Sequence, residues 1–244
     1  MLNDTRGADY IIWGVAALLY VWDAAKLLSA RQLLLIEAGA GRFSVAFSES
    51  PFTISGKVLA FSPLLLPYRG AFMAPWGRPW VAPAGLSGTL QPLARLRESL
   101  LVVRVLATWG FVLLFIVGPV LTLMAGPNAA VVYTAIGAYW TVLMAILVVW
   151  WQRNAFGLTL AQTAWLSLDL LICPAFLPNL VRKITITWPI DTDGAQLLFA
   201  TAAADVKQEF VTRLEGRTES LVGEVLEGPE RELRSYVDVV RAAQ

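Results

Sequence analysis

From Val105 to Gln152 the chain carries not one Asp, Glu, Lys or Arg. At 1.5 Å rise per residue, about 20 residues cross the hydrocarbon core of a bilayer, so this stretch holds two crossings and a turn. Gly126-Pro-Asn128 supplies the turn. Pro119 falls inside the first crossing, where a kink is tolerated if neighbouring groups satisfy the freed carbonyl. Gly137, Thr141 and Ala145 recur every four residues and set small side chains on one face of the second. The segment 101–152 is therefore expected to be a transmembrane helical hairpin.

The rest of the composition agrees. Hydrophobic residues make up 57% of the chain and charged ones 15%, against about a quarter in soluble domains. Several of the ten Trp, including Trp13, Trp150 and Trp151, stand near the ends of apolar runs, where interfacial anchors sit. The net charge of +1 gives no reason to expect nucleic acid as a partner.

Absences narrow the chemistry. The chain has no histidine, so Ser-His-Asp and Cys-His nucleophile systems and His-ligated haem are excluded. Cys173 is the sole cysteine, which excludes intrachain disulfides and thiolate zinc sites. No acidic cluster has the spacing of a Mg²⁺ site. No catalytic residue, cofactor or metal is expected, and catalysis is the less favoured reading. Arg outnumbers Lys, which points to a GC-rich bacterial genome.

Ahead of the hairpin, the apolar run within 8–30 carries Asp23 and Lys26 and lacks the basic start of a cleaved signal, so it reads as a signal-anchor helix. The region 31–98 has another texture. Gln32–Glu37, Arg42–Ser48 and Thr53–Phe61 read as short strands, with Phe43, Val45 and Phe47 alternating with polar or small residues. Gly39-Ala-Gly41 is a turn between the first two. The Pro- and Trp-rich run 74–83 reads as an interfacial collar. Basic residues dominate 31–98, which places it in the cytoplasm by the positive-inside rule.

After the hairpin, 158–181 is apolar except for Asp169 and is interrupted by Pro174 and Pro178. It is either a fourth crossing or a re-entrant segment; re-entry keeps Arg182 and Lys183 inside. The remainder, 188–244, has helical spacing of Phe199, Ala203, Val206, Phe210 and Leu214, a break at Gly228-Pro229, and a second helix carrying Tyr236 and Val240. Its apolar stripes need cover from the strand module, the bilayer surface or another protein.

The expected fold is thus an α-helical polytopic membrane protein with three to four membrane segments. To these are added a small β-rich cytoplasmic insert and an amphipathic helical C-terminal tail. Four charges are candidate functional residues. Asp23 and Lys26, three apart, would share one helical face. Asp169, at about 3 kcal/mol in mid-membrane, needs a partner, with Arg104 first and Lys26 second.

Two function classes follow, with a third behind them. The first is an accessory or assembly subunit of a bacterial inner-membrane complex, docking a protein partner or a second copy through the module and tail. The alternative is a small transporter or channel component using Asp169/Arg104 and Asp23/Lys26. The third is an enzyme acting on lipid-linked substrates. Membrane lipids are expected partners in all three.

Overall fold

The computed structural model describes residues 5–29, 31–39, 41–46, 53–54, 57–79, 83–125, 127–224 and 229–242. Helix α1 (Thr5–Ala24) leads into strands β1 (Ala25–Leu28), β2 (Gln32–Gly39), β3 (Arg42–Ala46), β4 (Thr53–Ile54), β5 (Lys57–Phe61) and β6 (Ala71–Pro75). Helices α2 (Pro83–Ser99) and α3 (Leu101–Val112) follow, then a π-helical turn (Leu113–Val117), α4 (Gly118–Ala125), α5 (Pro127–Gln152) and α6 (Leu160–Ile172). A 3-10 turn (Pro174–Asn179) and helices α7 (Leu180–Ile186), α8 (Gly194–Thr201), α9 (Ala204–Glu224) and α10 (Pro229–Ala242) complete the chain. It divides into two compact units. Unit one is Met1–Ala25, Pro63–Gly70 and Arg95–Trp188; unit two is Lys26–Ser62, Ala71–Ala94 and Pro189–Gln244.

Unit one is helical. Two of its helices, Leu101–Met124 and Ala129–Gln152, are long and apolar enough to cross a membrane by length and composition. They lie within the segment 101–152 where the hairpin was expected, and are two candidate crossings against the three to four segments expected. The described apolar parts of α1 and α6 are shorter. Pro119 has no N–H and crowds the carbonyl four residues earlier. The helix answers by widening: the Gly118 N–H reaches back five residues to the Leu113 carbonyl, a π turn in place of a sharp kink. The turn residue Gly126 lies outside the described residues, and α5 begins at Pro127, where a missing N–H costs nothing.

α5 packs on α3, α4 and α6 through Thr134, Ala138, Thr141, Val142, Ala145 and Val149, all buried. Two members of the small-residue row, Thr141 and Ala145, are in that seam. α1 and α3 both pack against the 3-10 turn. That turn is buried at Ala175, Leu177, Pro178 and Asn179. Trp13 of α1 lies over Gly118 and donates its indole N–H to Thr122 Oγ1 at 3.0 Å.

Unit two combines two three-stranded sheets, ordered β1-β5-β4 and β3-β2-β6, with helices α8 to α10. β2 pairs antiparallel with β3, from Leu34 opposite Ala46 to Gly39 opposite Arg42, and with β6, from Gln32 opposite Pro75 to Ile36 opposite Ala71. Gly39 and Gly41, at φ 90° and 83°, make the expected turn. The single strand expected over Thr53–Phe61 is instead a hairpin of β4 and β5. Ile54 opposite Lys57 leaves a two-residue connection, the commonest hairpin length. Ser55 and Gly56 themselves lie outside the described residues, as do Phe47, Ser48, Trp80, Val225 and Gly228.

The tail is covered from within. α8 packs on β2 and β3, and α10 packs on α9. Leu197, Leu198, Phe199, Phe210, Leu214, Tyr236, Val237 and Val240 are buried. Of the three covers the sequence allowed for the apolar stripes, the strand module is the one these contacts supply.

Candidate functional site

Three elements of unit one bring charged side chains together. Asp23 stands in the last turn of α1. Asp169 stands in the last turn of α6, a helix started by a capping box in which Thr159 Oγ1 accepts from the Gln162 N–H at 3.2 Å and Gln162 Oε1 accepts from the Thr159 N–H at 2.9 Å. α6 stops at Cys173, which adopts an extended conformation (φ −138°, ψ 94°), because the residue before a proline avoids the helical region. The 3-10 turn then reverses the chain and α7 delivers Lys183.

Lys183 Nζ lies 3.0 Å from Asp23 Oδ1 and 3.0 Å from Asp169 Oδ2, so one cation is shared by two carboxylates. Exposure falls along the row: the Asp169 side chain is 49% exposed, those of Lys183 and Asp23 12% each. The second oxygen of Asp23, Oδ2, is buried with no hydrogen-bond partner among the described residues. The Phe176 ring lies 4.5 Å from Lys183 Nζ, a cation–π contact on the remaining side.

The neighbouring Arg182 is only 2% exposed and is held by acceptors without formal charge. Its guanidinium donates to Asn179 Oδ1 and to the backbone carbonyls of Pro63 and, at 3.2 Å, Leu66. The Tyr20 hydroxyl accepts from it at 3.4 Å and in turn donates to the Leu64 carbonyl. Asn179 closes the ring by donating to the Tyr20 carbonyl at 3.0 Å. Arg182 therefore clamps the 63–66 loop to α1 and α7. The four charges Asp23, Asp169, Arg182 and Lys183 sum to zero, which is what allows them to lie among apolar helices.

Of the residues singled out in the sequence, Asp23 and Asp169 are thus brought together, and by Lys183. Lys26 is not on the helical face of Asp23. α1 ends at Ala24, and Lys26 belongs to β1, whose backbone pairs with β5. The expected helical pair is corrected for that reason. Arg104 stands on α3 and lines a groove described below. Lys183 and Arg182 entered the sequence reading only as topology charges. No local pattern could have linked Lys183 to an aspartate 160 positions earlier.

Chemically, the row is two carboxylates bridged by one ammonium group, more exposed at its Asp169 end than at Asp23. Among the described residues no three Cys, Asp or Glu gather as metal ligands.

Unit two has its own buried carboxylate. Asp193, 1% exposed, caps α8: Oδ1 accepts from the N–H groups of Ala195 at 2.9 Å and Gln196 at 3.2 Å. Tyr236 of α10 donates its hydroxyl to the same oxygen at 2.7 Å, and the Arg78 N–H reaches Oδ2 at 2.9 Å. Burial pushes the carboxyl above its ordinary pKa, and the four donors pull it only part of the way back. This network ties α10, α8 and the segment after β6 together, and its role is structural.

No protein-family model matches the chain, and neither a curated protein nor a solved structure is significantly similar to it.

Proposed function

We propose that the chain is a polytopic protein of a bacterial inner membrane that works as a small transporter or channel component, with Asp169, Lys183 and Asp23 as its proton- or cation-handling centre. The observation that carries this reading is one lysine held at 3.0 Å by two carboxylates whose exposure decreases inwards. Ionisable groups in membrane segments are costly and serve ion or proton paths when they are kept.

Lipid as the surrounding solvent is supported by the outward faces of the two long helices. Only 28% of each apolar window is buried, and Leu101, Trp109, Leu123, Met124, Tyr133, Leu147 and Trp151 all point outwards. Core helices of soluble proteins are mostly covered, and soluble surfaces rarely expose contiguous apolar faces, which supports the lipid reading.

Unit two constrains the path through the bilayer. It is built from 26–62, 71–94 and 189–244 packed together, and a packed domain cannot have its sheet on one side of a membrane and the helix covering it on the other. On this reading the long-helix hairpin returns the chain to its starting side, and the segment after it would return as well. α6 has thirteen residues and reaches about 20 Å, short of the 30 Å or so of hydrocarbon. The Asp169–Lys183 contact doubles the chain back on itself across the 3-10 turn. These features favour a re-entrant 158–181 over a fourth crossing. They also favour a cytoplasmic unit two, where the basic 31–98 segment and the tail lie together.

The test is potential-driven proton and cation flux in proteoliposomes. Asp169→Asn is expected to abolish flux while membrane abundance and thermal stability stay near those of the native protein. Lost abundance with unchanged flux per molecule would make the row a staple between helices and overturn the reading.

A second reading, the accessory subunit, rests on one feature. Leu27 and Phe61, exposed by 44% and 46%, stand on the neighbouring strands β1 and β5. The particle mass in mild detergent tests it: a clean monomer counts against docking.

A further inference from the structure

Unit one carries an open groove of about 470 Å³ along α3. It is lined by Leu101, Arg104, Val105, Thr108, Trp109 and Val112 of this helix and by Tyr68. The helical positions follow i, i+3/i+4, i+7/i+8 and i+11 spacing, so they form one stripe about 16 Å long running inwards from the start of the span. All but Arg104, Thr108 and the Tyr68 hydroxyl offer only carbon or the indole ring of Trp109. Trp109 is 53% exposed into this space.

The cation is at the outer end. Arg104 lies one turn inside the start of the Leu101–Met124 helix. Backbone hydrogen bonds continue through the junction of α2 and α3: the Leu100 N–H donates to Leu96 at 3.0 Å and the Arg104 N–H to Leu100 at 2.9 Å. Arg97, Leu101 and Arg104 therefore stack on one helical face, two guanidinium groups with one leucine between. Arg69 and Arg95 are in the same unit, with Glu98 as the acid of this helix end. An open apolar groove headed by a cation, at the depth where long basic side chains reach lipid phosphates, has the charge pattern of one kind of occupant.

We propose that this groove is a binding site for an anionic phospholipid, its phosphate held by Arg104 beside Arg97 and one acyl chain lying along Val105, Thr108, Trp109 and Val112. The site rests on the membrane reading given above. It goes beyond that reading in assigning a headgroup charge, a location and a residue that selects it.

Trp109 is the built-in reporter. The protein is reconstituted into vesicles containing either phosphatidylglycerol or phosphatidylcholine with brominated chains at equal mole fraction. The Trp109 signal is isolated as the difference between the native chain and Trp109→Phe. The anionic brominated lipid is expected to occupy the groove about fivefold more favourably than the zwitterionic one, the factor contributed by roughly one basic residue near an anionic surface. Arg104→Gln should bring the two lipids level, and Arg104→Lys should keep the preference. Equal quenching of Trp109 by both lipids in the native chain overturns the site, and this comparison needs no variant at position 104 to fold. A preference that survives Arg104→Gln overturns the assignment of that residue. Absence of quenching of every tryptophan by either lipid contradicts the membrane reading itself, and is distinguishable because Trp140, Trp151 and Trp165 are also exposed.

Discussion

Replacing Lys183 by Met removes the one cation between Asp23 and Asp169. Its Nζ lies 3.0 Å from a carboxylate oxygen on either side, which puts those two oxygens within twice that distance of each other. At an effective dielectric of about 20, two like charges about 6 Å apart repel by about 3 kcal/mol. Water at the half-exposed Asp169 screens part of this, giving a range of about 1–3 kcal/mol. The two attractions of the native row are lost as well, and breaking a buried pair from one side costs about 3–5 kcal/mol. The sharper consequence is a change of sign. In the native background Asp23→Asn deletes an attraction and destabilises. In the Lys183→Met background the same change deletes a repulsion and restores about 1–3 kcal/mol. Unfolding free energies of the four proteins in mixed micelles, titrated with a denaturing surfactant, close the cycle. If Asp23→Asn is equally destabilising in both backgrounds, the three groups do not share a field and the reasoning fails.

Two further predictions concern other parts of the chain. Asp193→Asn keeps one oxygen for the α8 cap and the Tyr236 hydroxyl but loses the acceptor for the Arg78 N–H, at a cost of about 1–3 kcal/mol. Because burial raises the pKa of this carboxyl, its stabilising contribution is present below the ordinary carboxylate value of about 3.9 and is lost as pH rises through the raised value. The native unfolding midpoint should therefore fall relative to that of Asp193→Asn on going from acid to neutral pH; a gap that is flat or widens with pH contradicts the burial argument. Gly118→Ala would drive a Cβ into the Trp13 ring, and overpacking of this kind costs about 1–3 kcal/mol. Adding Trp13→Leu should recover part of the loss in the same unfolding assay, and no recovery would mean that Trp13 does not sit there.

The hairpin was legible because an uncharged run of its length has few other solutions, and β2, β3 and β5 were legible from period-two alternation or apolar runs between turn residues. β6, Ala-Phe-Met-Ala-Pro, shows no alternation, since it is an edge of the β3-β2-β6 sheet with Ala71, Phe72 and Ala74 all buried. Helix α2 was concealed by Pro92 within it, a residue that sequence rules read as a break. Asp193 was missed although its signal is present: an Asp immediately before the apolar run Gly-Ala-Gln-Leu-Leu-Phe is an N-cap pattern. The aspartates of the charged row could be identified as costly, because cost is local. Their lysine could not, because partnership here depends on the fold-back at Pro174 and on α1 arriving from the far end of the chain.

Thiol accessibility in intact cells reads out on which side of the bilayer each part of unit two lies. With Cys173→Ala as background, single cysteines are placed at Lys57 in β5, Asn128 at the start of α5 and Ala242 at the end of α10, and labelled with a membrane-impermeant reagent. Asn128→Cys alone is expected to label from outside, and the other two only after the cells are opened. Labelling of Ala242→Cys but not Lys57→Cys in intact cells would put the two parts of unit two on opposite sides of the bilayer and contradict the account.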